Sequence, residues 1–122
     1  MNTILFVDDE QEFLDILVPR MRDKWGYNVI TFTEGLKAIE YLKTNKPDLA
    51  LVDLGLQDVS GMKVLLDAKT QYPDLTVWIV SGFNSPDIKE QAMKLKADDF
   101  IAKPFMPKEF KEKIEAFFLN KK

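Results

Sequence analysis

Short apolar runs alternate along this chain with longer stretches in which apolar residues recur at helical spacing. An apolar run rich in β-branched residues is typical of a parallel strand buried on both faces. Recurrence every three or four positions is typical of an amphipathic helix. Four runs end at a side chain that can bind an ion or act in catalysis: residues 4–7 precede Asp8-Asp9, 49–52 precede Asp53, 77–80 precede Ser81 and 100–102 precede Lys103.

This alternation predicts five strands and five helices, and therefore a three-layer α/β sandwich with right-handed crossovers. Pro19 falls inside the first helix and is expected to kink it, because proline removes a backbone hydrogen bond. Asp98-Asp99 is expected to form a solvated turn. The strands are predicted at residues 3–8, 27–32, 49–53, 75–80 and 100–102, and the helices at 11–25, 34–44, 62–72, 86–95 and from 107 onwards.

The polar side chains that follow the predicted strands are expected to meet at one edge of the sheet. In an open parallel sheet, ligands bind beyond the carboxyl ends of the strands. Asp8, Asp9 and Asp53 would bring three carboxylates together there, and a divalent cation would relieve their repulsion. A small set of oxygen ligands favours Mg²⁺ over Ca²⁺. A carboxylate such as Asp53 can also attack phosphorus and form an acyl phosphate.

Composition narrows the classes of function that remain. A chain of 122 residues with 46% hydrophobic content is predicted to form one domain with a core of its own. It contains no cysteine and no histidine, which excludes thiol nucleophiles, imidazole bases and zinc sites built from these residues. A net charge of −3 gives no overall case for direct nucleic-acid binding. The absence of a leader pattern and of long apolar stretches predicts a cytoplasmic protein without membrane insertion.

The order of these motifs resembles the receiver domain of two-component response regulators, from Thr3 to about Phe118. The resemblance implies a flavodoxin-like (βα)5 fold with a parallel five-stranded sheet in the order 2-1-3-4-5, and a single receiver domain over residues 1–122. It depends on four segments: Asp8-Asp9-Glu10, residues 53–61, Ser81-Gly82 and residues 97–105.

The resemblance also implies a role for each candidate residue at the sheet edge. Asp53 would be the phospho-acceptor, Lys103 and Ser81 would contact the phosphoryl oxygens, and the Gly82 amide would assist them. Ser81 and Phe100 would form a switch, and the Lys103–Pro104 peptide would be cis. The expected Mg²⁺ ligands are Asp9, Asp53 and the Gly55 carbonyl directly, with Asp8 acting through water.

The function implied is a phosphorylation-dependent signalling switch. Because the chain has no histidine, the donor phosphohistidine would lie on a partner, either a sensor histidine kinase or a histidine phosphotransfer domain. Phosphorylation would alter the face made by the fourth helix, the fifth strand and the fifth helix, and a phosphorylation-dependent dimer is one partner arrangement that fits. The chain would not be an enzyme, apart from catalysing its own phosphorylation and dephosphorylation.

Two other functions use a similar sheet. An aspartate-nucleophile phosphohydrolase of the haloacid dehalogenase type also uses Asp, Ser or Thr, Lys and Mg²⁺. Its motif requires a second aspartate two residues after the nucleophile, where this chain has Gly55. A flavodoxin-type cofactor binder would need a hydroxyl- and glycine-rich phosphate loop after the first strand, and this chain has acids there.

The chain departs from the usual receiver pattern at several positions. Gly55 offers no side chain to keep water from the acceptor, whereas Phe83 is bulky and is expected to shield the phosphoryl group. Lys96 replaces the glycine that commonly ends the fourth helix. Phe100 replaces a tyrosine, and Met106 replaces a capping aspartate at the start of the fifth helix.

Overall fold

The computed structural model describes residues 1–121, and within them five strands alternate with five helices as predicted. The observed element ends differ from the predicted ones by a few residues at most. The elements in chain order are β1 (Thr3–Val7), α1 (Gln11–Asp23), β2 (Asn28–Phe32), α2 (Gly35–Leu42), β3 (Leu49–Val52), α3 (Gly61–Gln71), β4 (Val77–Ser81), α4 (Pro86–Lys94), β5 (Asp99–Ala102) and α5 (Pro107–Asn120).

The strands form one parallel sheet in the order β2-β1-β3-β4-β5, which confirms the predicted topology. The register brings Val7 opposite Val52, so the residues that follow β1 and β3 emerge side by side. It also brings Ser81 opposite Ala102, which places the residue after β5 beside the end of β4. The predicted convergence of polar side chains at one edge is therefore a direct result of the register.

Alternate side chains of each strand enter two separate cores, one on each face of the sheet. On one face, Leu5 and Val7 pack with residues of α2, α3 and α4, such as Leu42. On the other face, Ile4 and Phe6 pack with α1 and α5. The sheet with helices on both faces gives the predicted three layers. Within the part of the chain described, no helix has the length and apolar character needed to cross a membrane.

The inward face of α2 is not the one that its apolar spacing predicts. The spacing of Leu36, Ile39 and Leu42 predicts that all three point into the core, but Leu36 is 54% exposed, whereas Ala38 is fully buried. The cause lies at Gly35, where an added Cβ would overlap the side chain of Val59. Because glycine permits this close approach, α2 presents Gly35, Ala38 and Leu42 to its neighbours and turns Leu36 outward.

Two helices near the site have unusual local features. Helix α4 is followed, after Leu95, by Lys96 in the left-handed conformation, with φ of +75°. The Ala97 amide donates to Ala92 and the Lys96 amide donates to Met93, which is the hydrogen-bond pattern of a Schellman motif. Pro19 lies within α1, which continues through it as one helix.

The expected solvated turn at Asp98-Asp99 is confirmed for Asp98, which lies in a bend with its side chain 42% exposed, but not for Asp99, which lies in β5. The Asp98 carboxylate accepts hydrogen bonds from the Val77 amide at 2.8 Å and from Lys69 Nζ at 2.7 Å. It therefore joins α3 to the start of β4 at the edge of the sheet opposite the site. Asp99 is the first residue of β5, and its carboxylate pairs with Lys113.

Candidate functional site

The Lys103 ammonium lies at the centre of the predicted edge and contacts three carboxylates. Its Nζ is 2.6 Å from Asp8 Oδ2, 2.8 Å from Glu10 Oε1 and 3.2 Å from Asp53 Oδ2. Asp8 follows β1, Asp53 follows β3 and Lys103 follows β5, so three strand ends supply the cluster. The structure thus brings together residues that are up to 95 positions apart in sequence.

Burial makes this cluster electrostatically unusual. Asp8 is fully buried, Asp53 is 5% exposed and the Lys103 side chain is 12% exposed. Burial raises the pKa of Asp8 to about 6, although the hydrogen bond from Lys103 acts in the opposite direction. Burial alone would lower the pKa of Lys103, but its hydrogen bonds to Asp8 and Glu10 and the nearby negative charges outweigh this and raise it. The pKa of Asp8 and the pKa of Lys103 can both be raised, because the ammonium gains from three carboxylates whereas each carboxylate has only a share of its charge.

Glu10 is a member of the cluster that the sequence analysis missed. It lies in the Asp8-Asp9-Glu10 motif, which was the available signal, but we assigned it no role. Carboxylate oxygens of Asp8, Glu10 and Asp53 all lie within 4.8 Å of one another. Asp9 is outside that group of three but lines the same cleft, and burial together with the charge of Asp53 raises its pKa.

This donor set fits a divalent cation of the magnesium type. All the clustered ligand atoms are carboxylate oxygens, which Mg²⁺ prefers. The cluster also carries more negative than positive charge, since Lys103 offsets only one of the carboxylates. The backbone of Gly55 lies at the same cleft, as the predicted carbonyl ligand requires.

Ser81 and Gly82 lie on the β4 side of the cleft. Ser81 is the last residue of β4 and is fully buried, and its Oγ accepts a hydrogen bond from the Phe83 amide at 3.1 Å. Its hydroxyl hydrogen remains available to donate to another oxygen. Gly82 lines the cleft directly. The Lys103–Pro104 peptide is cis, as the resemblance implied.

Phe100, the other predicted switch residue, is not among the residues that line the cleft. It is half-buried in β5 opposite Ile79 and packs against the core that contains α4. Lys89 of α4 places its Nζ 5.8 Å from the centre of the Phe100 ring. Phe100 therefore belongs to the α4–β5 face and does not contact the carboxylate cluster directly.

The cleft above the carboxylates is open and has aromatic walls. Its volume is about 710 Å³. Phe83 covers Gly55 so closely that an added Cβ at Gly55 would overlap the Phe83 ring. The residues that line it are Asp9, Glu10, Phe13, Asp53, Gly55, Gly82, Phe83, Lys103, Pro104 and Phe105.

The loop between Asp53 and α3 is held at both ends. The Gly61 amide donates to the Leu54 carbonyl at 3.0 Å, and an added Cβ at Gly61 would overlap the Asp53 carbonyl. Within the loop, the Asp58 carboxylate accepts hydrogen bonds from the amides of Gly35 and Leu36, both at 2.9 Å. No local sequence pattern indicates this contact, because it joins residues 23 and 22 positions apart.

The known proteins to which this chain is similar include response regulators. Residues 4–115 match the sequence model of the response regulator receiver domain. The chain is 31% identical over 93% of its length to the alkaline phosphatase synthesis transcriptional regulatory protein PhoP of Bacillus subtilis. It is 34% identical over 95% of its length to the transcriptional regulatory protein KdpE of Mycobacterium tuberculosis. It spans about half of these relatives, 47% and 50% of their respective lengths.

A solved structure agrees with the sequence comparisons. The CheY-like response regulator receiver domain protein of Methanospirillum hungatei superposes with a TM-score of 0.89 at 27% identity, covering 96% of this chain and 93% of that one. These likenesses give no support to the phosphohydrolase alternative. Receiver domains of this kind are signalling switches that are phosphorylated on an aspartate, not enzymes in the ordinary sense. With the family match over residues 4–115, the predicted strand order and the acid–lysine cluster at the sheet edge, the chain belongs to the response-regulator receiver domain family.

Proposed function

We propose that Asp53 is the phospho-acceptor of this receiver domain. The observation that carries the proposal is the contact of Lys103 Nζ with both Asp8 and Asp53 at the buried sheet edge. Asp53 and Glu10 both lie against this ammonium and beside the open cleft, but Asp53 is buried at the end of β3, whereas the Glu10 side chain is 62% exposed. Asp8 is fully enclosed and therefore less accessible to a donor.

Mg²⁺ is proposed as the cofactor of this reaction. Asp9, Asp53 and the Gly55 carbonyl would bind it directly, with Asp8 acting through water, and Glu10 is close enough to contribute as well. The cation, when bound, neutralises negative charge on the carboxylates and on the transferring group. The presence of only oxygen donors supports this choice of metal.

The transfer itself would be performed by residues of the chain. An Asp53 carboxylate oxygen attacks phosphorus, a phosphorus–oxygen bond forms, and the bond between phosphorus and the donor's leaving group breaks. Lys103 and the Ser81 hydroxyl donate to phosphoryl oxygens, and the Gly82 amide supports them from the cleft wall. The domain would thus catalyse only its own phosphorylation and the later hydrolysis.

The phosphoryl donor would be a partner's phosphohistidine, since this chain has no histidine. A sensor histidine kinase or a histidine phosphotransfer domain fits this requirement. We likewise propose a cytoplasmic location and treat residues 1–122 as one receiver domain, in line with the family. Direct contact with nucleic acid and insertion in a membrane are not part of this proposal.

Signalling would follow from movement of Ser81 and Phe100. Once Ser81 donates to a phosphoryl oxygen on Asp53, it moves inward and leaves space for the Phe100 ring on the α4–β5 side. The altered face of α4, β5 and α5 would bind a downstream partner or a second copy of the domain. This is a shift between two populations, so the phosphoryl group must favour one of them.

The experiment that tests the acceptor is labelling with acetyl phosphate and Mg²⁺. Wild type should gain the mass of one phosphoryl group in a bond that hydroxylamine cleaves. Asp53→Asn should remain unlabelled, whereas Asp67→Asn, which changes a half-buried aspartate of α3 that pairs with Lys63, should label as wild type does. Equal labelling of Asp53→Asn and wild type would overturn the proposal.

A further inference from the structure

The Lys103 ammonium has a fourth contact, with an aromatic ring. Its Nζ lies 4.3 Å from the centre of the Phe13 ring, well inside the range of about 6 Å over which a cation is attracted to a ring face. Four further lysine–aromatic pairs in the described part of the chain are longer, at 5.5–5.9 Å. The attraction is stronger where water is excluded, and the Lys103 side chain is 12% exposed.

The Phe13 ring is held in place by two neighbouring rings. Phe6 packs edge-on against it at 6.0 Å between ring centres, and Phe105 does so at 5.8 Å. Phe105 in turn packs against Phe110 of α5 at 4.5 Å. Edge-to-face packing is a favoured geometry for aromatic pairs, so both contacts stabilise the orientation of the Phe13 ring. The ammonium therefore rests on an aromatic surface supplied by β1, α1 and the segment after β5.

We propose that Phe13 is a positioning residue for Lys103. Its ring face keeps the ammonium at the cleft when the carboxylates that surround it in this structure take other partners. The inference rests on the proposed function, because there Lys103 contacts the transferring phosphoryl group.

The carboxylates alone would not fix the lysine through a reaction. Asp53 becomes the acyl phosphate, and the carboxylates of Asp8 and Glu10 lie close enough together to bind a metal ion instead of Lys103. Glu10 is also 62% exposed, so its contact with Lys103 is open to competition from water and salt. The ring of Phe13 has no oxygen or nitrogen atom that could bind a metal ion, and the transfer does not alter it chemically. It is the contact of Lys103 that persists.

The contact can be tested without any phosphorylation. In the metal-free protein, the Lys103 ε protons should show an upfield ring-current shift in NMR spectra. Phe13→Tyr should keep this shift because it keeps the ring, and Phe13→Leu and Phe13→Met should lose it. A wild-type Lys103 signal at the ordinary lysine position would overturn the proposal, whatever the fate of the proposed function.

The effect of the Phe13–Lys103 contact on phosphoryl transfer is tested by the rate of phosphorylation at saturating Mg²⁺, with phosphoramidate as the donor. Phe13→Leu should react roughly five-fold more slowly than wild type, and Phe13→Tyr should recover most of the rate. The affinity for Mg²⁺, measured by tryptophan fluorescence, should stay within two-fold in each variant. Phe117→Leu is the matched control, since Phe117 also faces a lysine, Lys121, but lies on α5 away from the cleft.

The possible results are separable. If Phe13→Leu and Phe13→Met lose the ring-current shift but react at the wild-type rate, Phe13 does not position Lys103 for transfer. If Phe13→Leu and Phe117→Leu are slowed equally, the effect is general loss of packing and the proposal is wrong. If wild type is not phosphorylated at all while the ring-current shift is present, the proposed function fails and the contact stands. Phe13→Met serves as the second variant in case Phe13→Leu folds poorly.

Discussion

The Asp58 carboxylate caps helix α2 by accepting a hydrogen bond from the Gly35 amide at 2.9 Å. It also accepts from the Leu36 amide, and the helix has no cap from Glu34, the residue that precedes it. The cap therefore comes from the loop that carries the proposed acceptor. These hydrogen bonds, first of all that from Leu36, hold the pKa of Asp58 below its usual value.

Asp58→Ala should lower the free energy of unfolding by about 1 kcal/mol at neutral pH, as loss of a helix cap does. Because the pKa of Asp58 is lowered on folding, its contribution is present above the unfolded pKa and is lost as pH falls through the folded pKa. The difference from wild type should therefore shrink below about pH 4. Urea melts across pH check this, with Asp67→Ala as the control. A difference that is constant down to pH 2 would contradict an ionised cap.

Lys96→Gly should raise the stability of the domain. A lysine in the left-handed conformation costs about 1–2 kcal/mol, and glycine avoids that cost while adding freedom to the unfolded chain. The net gain should be about 0.5–1 kcal/mol in denaturant melts. Gln91→Gly, at an exposed position inside α4, should instead destabilise by about 1 kcal/mol. If both variants lose stability, the positive φ at Lys96 carries no strain.

The metal-free domain should become less stable as the pH rises from about 4 to about 6. Burial raises the pKa of Asp8 to about 6, so the folded state binds more protons than the unfolded state in that window. Unfolding free energy should therefore fall as pH rises, by about 3 kcal/mol at most relative to Asp8→Asn. Melts in EDTA test this, and a ¹³C titration of the Asp8 carboxyl should have its midpoint near 6. A midpoint near 4 would show that Lys103 outweighs burial.

Phe83→Ala should shorten the lifetime of the acyl phosphate. The Phe83 ring covers Gly55 at the cleft, so its removal opens the acceptor to water on a side where Gly55 supplies no shield. Phosphate release from ³²P-labelled protein should accelerate several-fold. Met93→Ala, which removes an exposed apolar side chain of α4, is the control. An unchanged or longer lifetime would mean that Phe83 does not exclude water.

Asp53→Asn should stabilise the metal-free protein by about 1 kcal/mol, because the carboxylate cluster stays net negative despite Lys103. The same variant should lose stabilisation by Mg²⁺, since a weaker ligand set gives less linked free energy. Denaturant melts with EDTA and with Mg²⁺ measure both effects. A metal-free Asp53→Asn that is less stable than wild type would show that the Lys103 contact outweighs the repulsion.

The sequence was sufficient for the fold and for the residues at the ends of the strands. Each buried run points its next polar residue at the same edge, so the meeting of Asp8, Asp53, Ser81 and Lys103 followed from strand order alone. The assignment of chemical roles to them remains a prediction. Residues whose role depends on a contact across the fold were not predictable, because no local pattern records the partner.

Glu10, Phe13 and Asp58 illustrate this limit. The spacing of apolar residues places Phe13 on the core face of the first helix and indicates nothing more, yet its ring faces Lys103, which is 90 positions later. Asp58 lies in a polar loop, and its hydrogen bonds go to another helix. The outward orientation of Leu36 also depended on a neighbour, since it is the fit of Gly35 against Val59 that sets the rotation of α2.

The contact between Gly61 and Asp53 has a consequence for how this domain tolerates change in chain length. The Gly61 amide donates a hydrogen bond to the Leu54 carbonyl, and the space beside the Asp53 carbonyl has no room for a side chain. Residues 54–61 therefore form a loop whose two ends are held together, with a fixed number of residues between them. An inserted or deleted residue there would displace the acceptor or the start of α3. The space around Gly82, by contrast, is open. Chain length is therefore constrained between Leu54 and Gly61, whereas at Gly82 a side chain would meet no neighbouring atom.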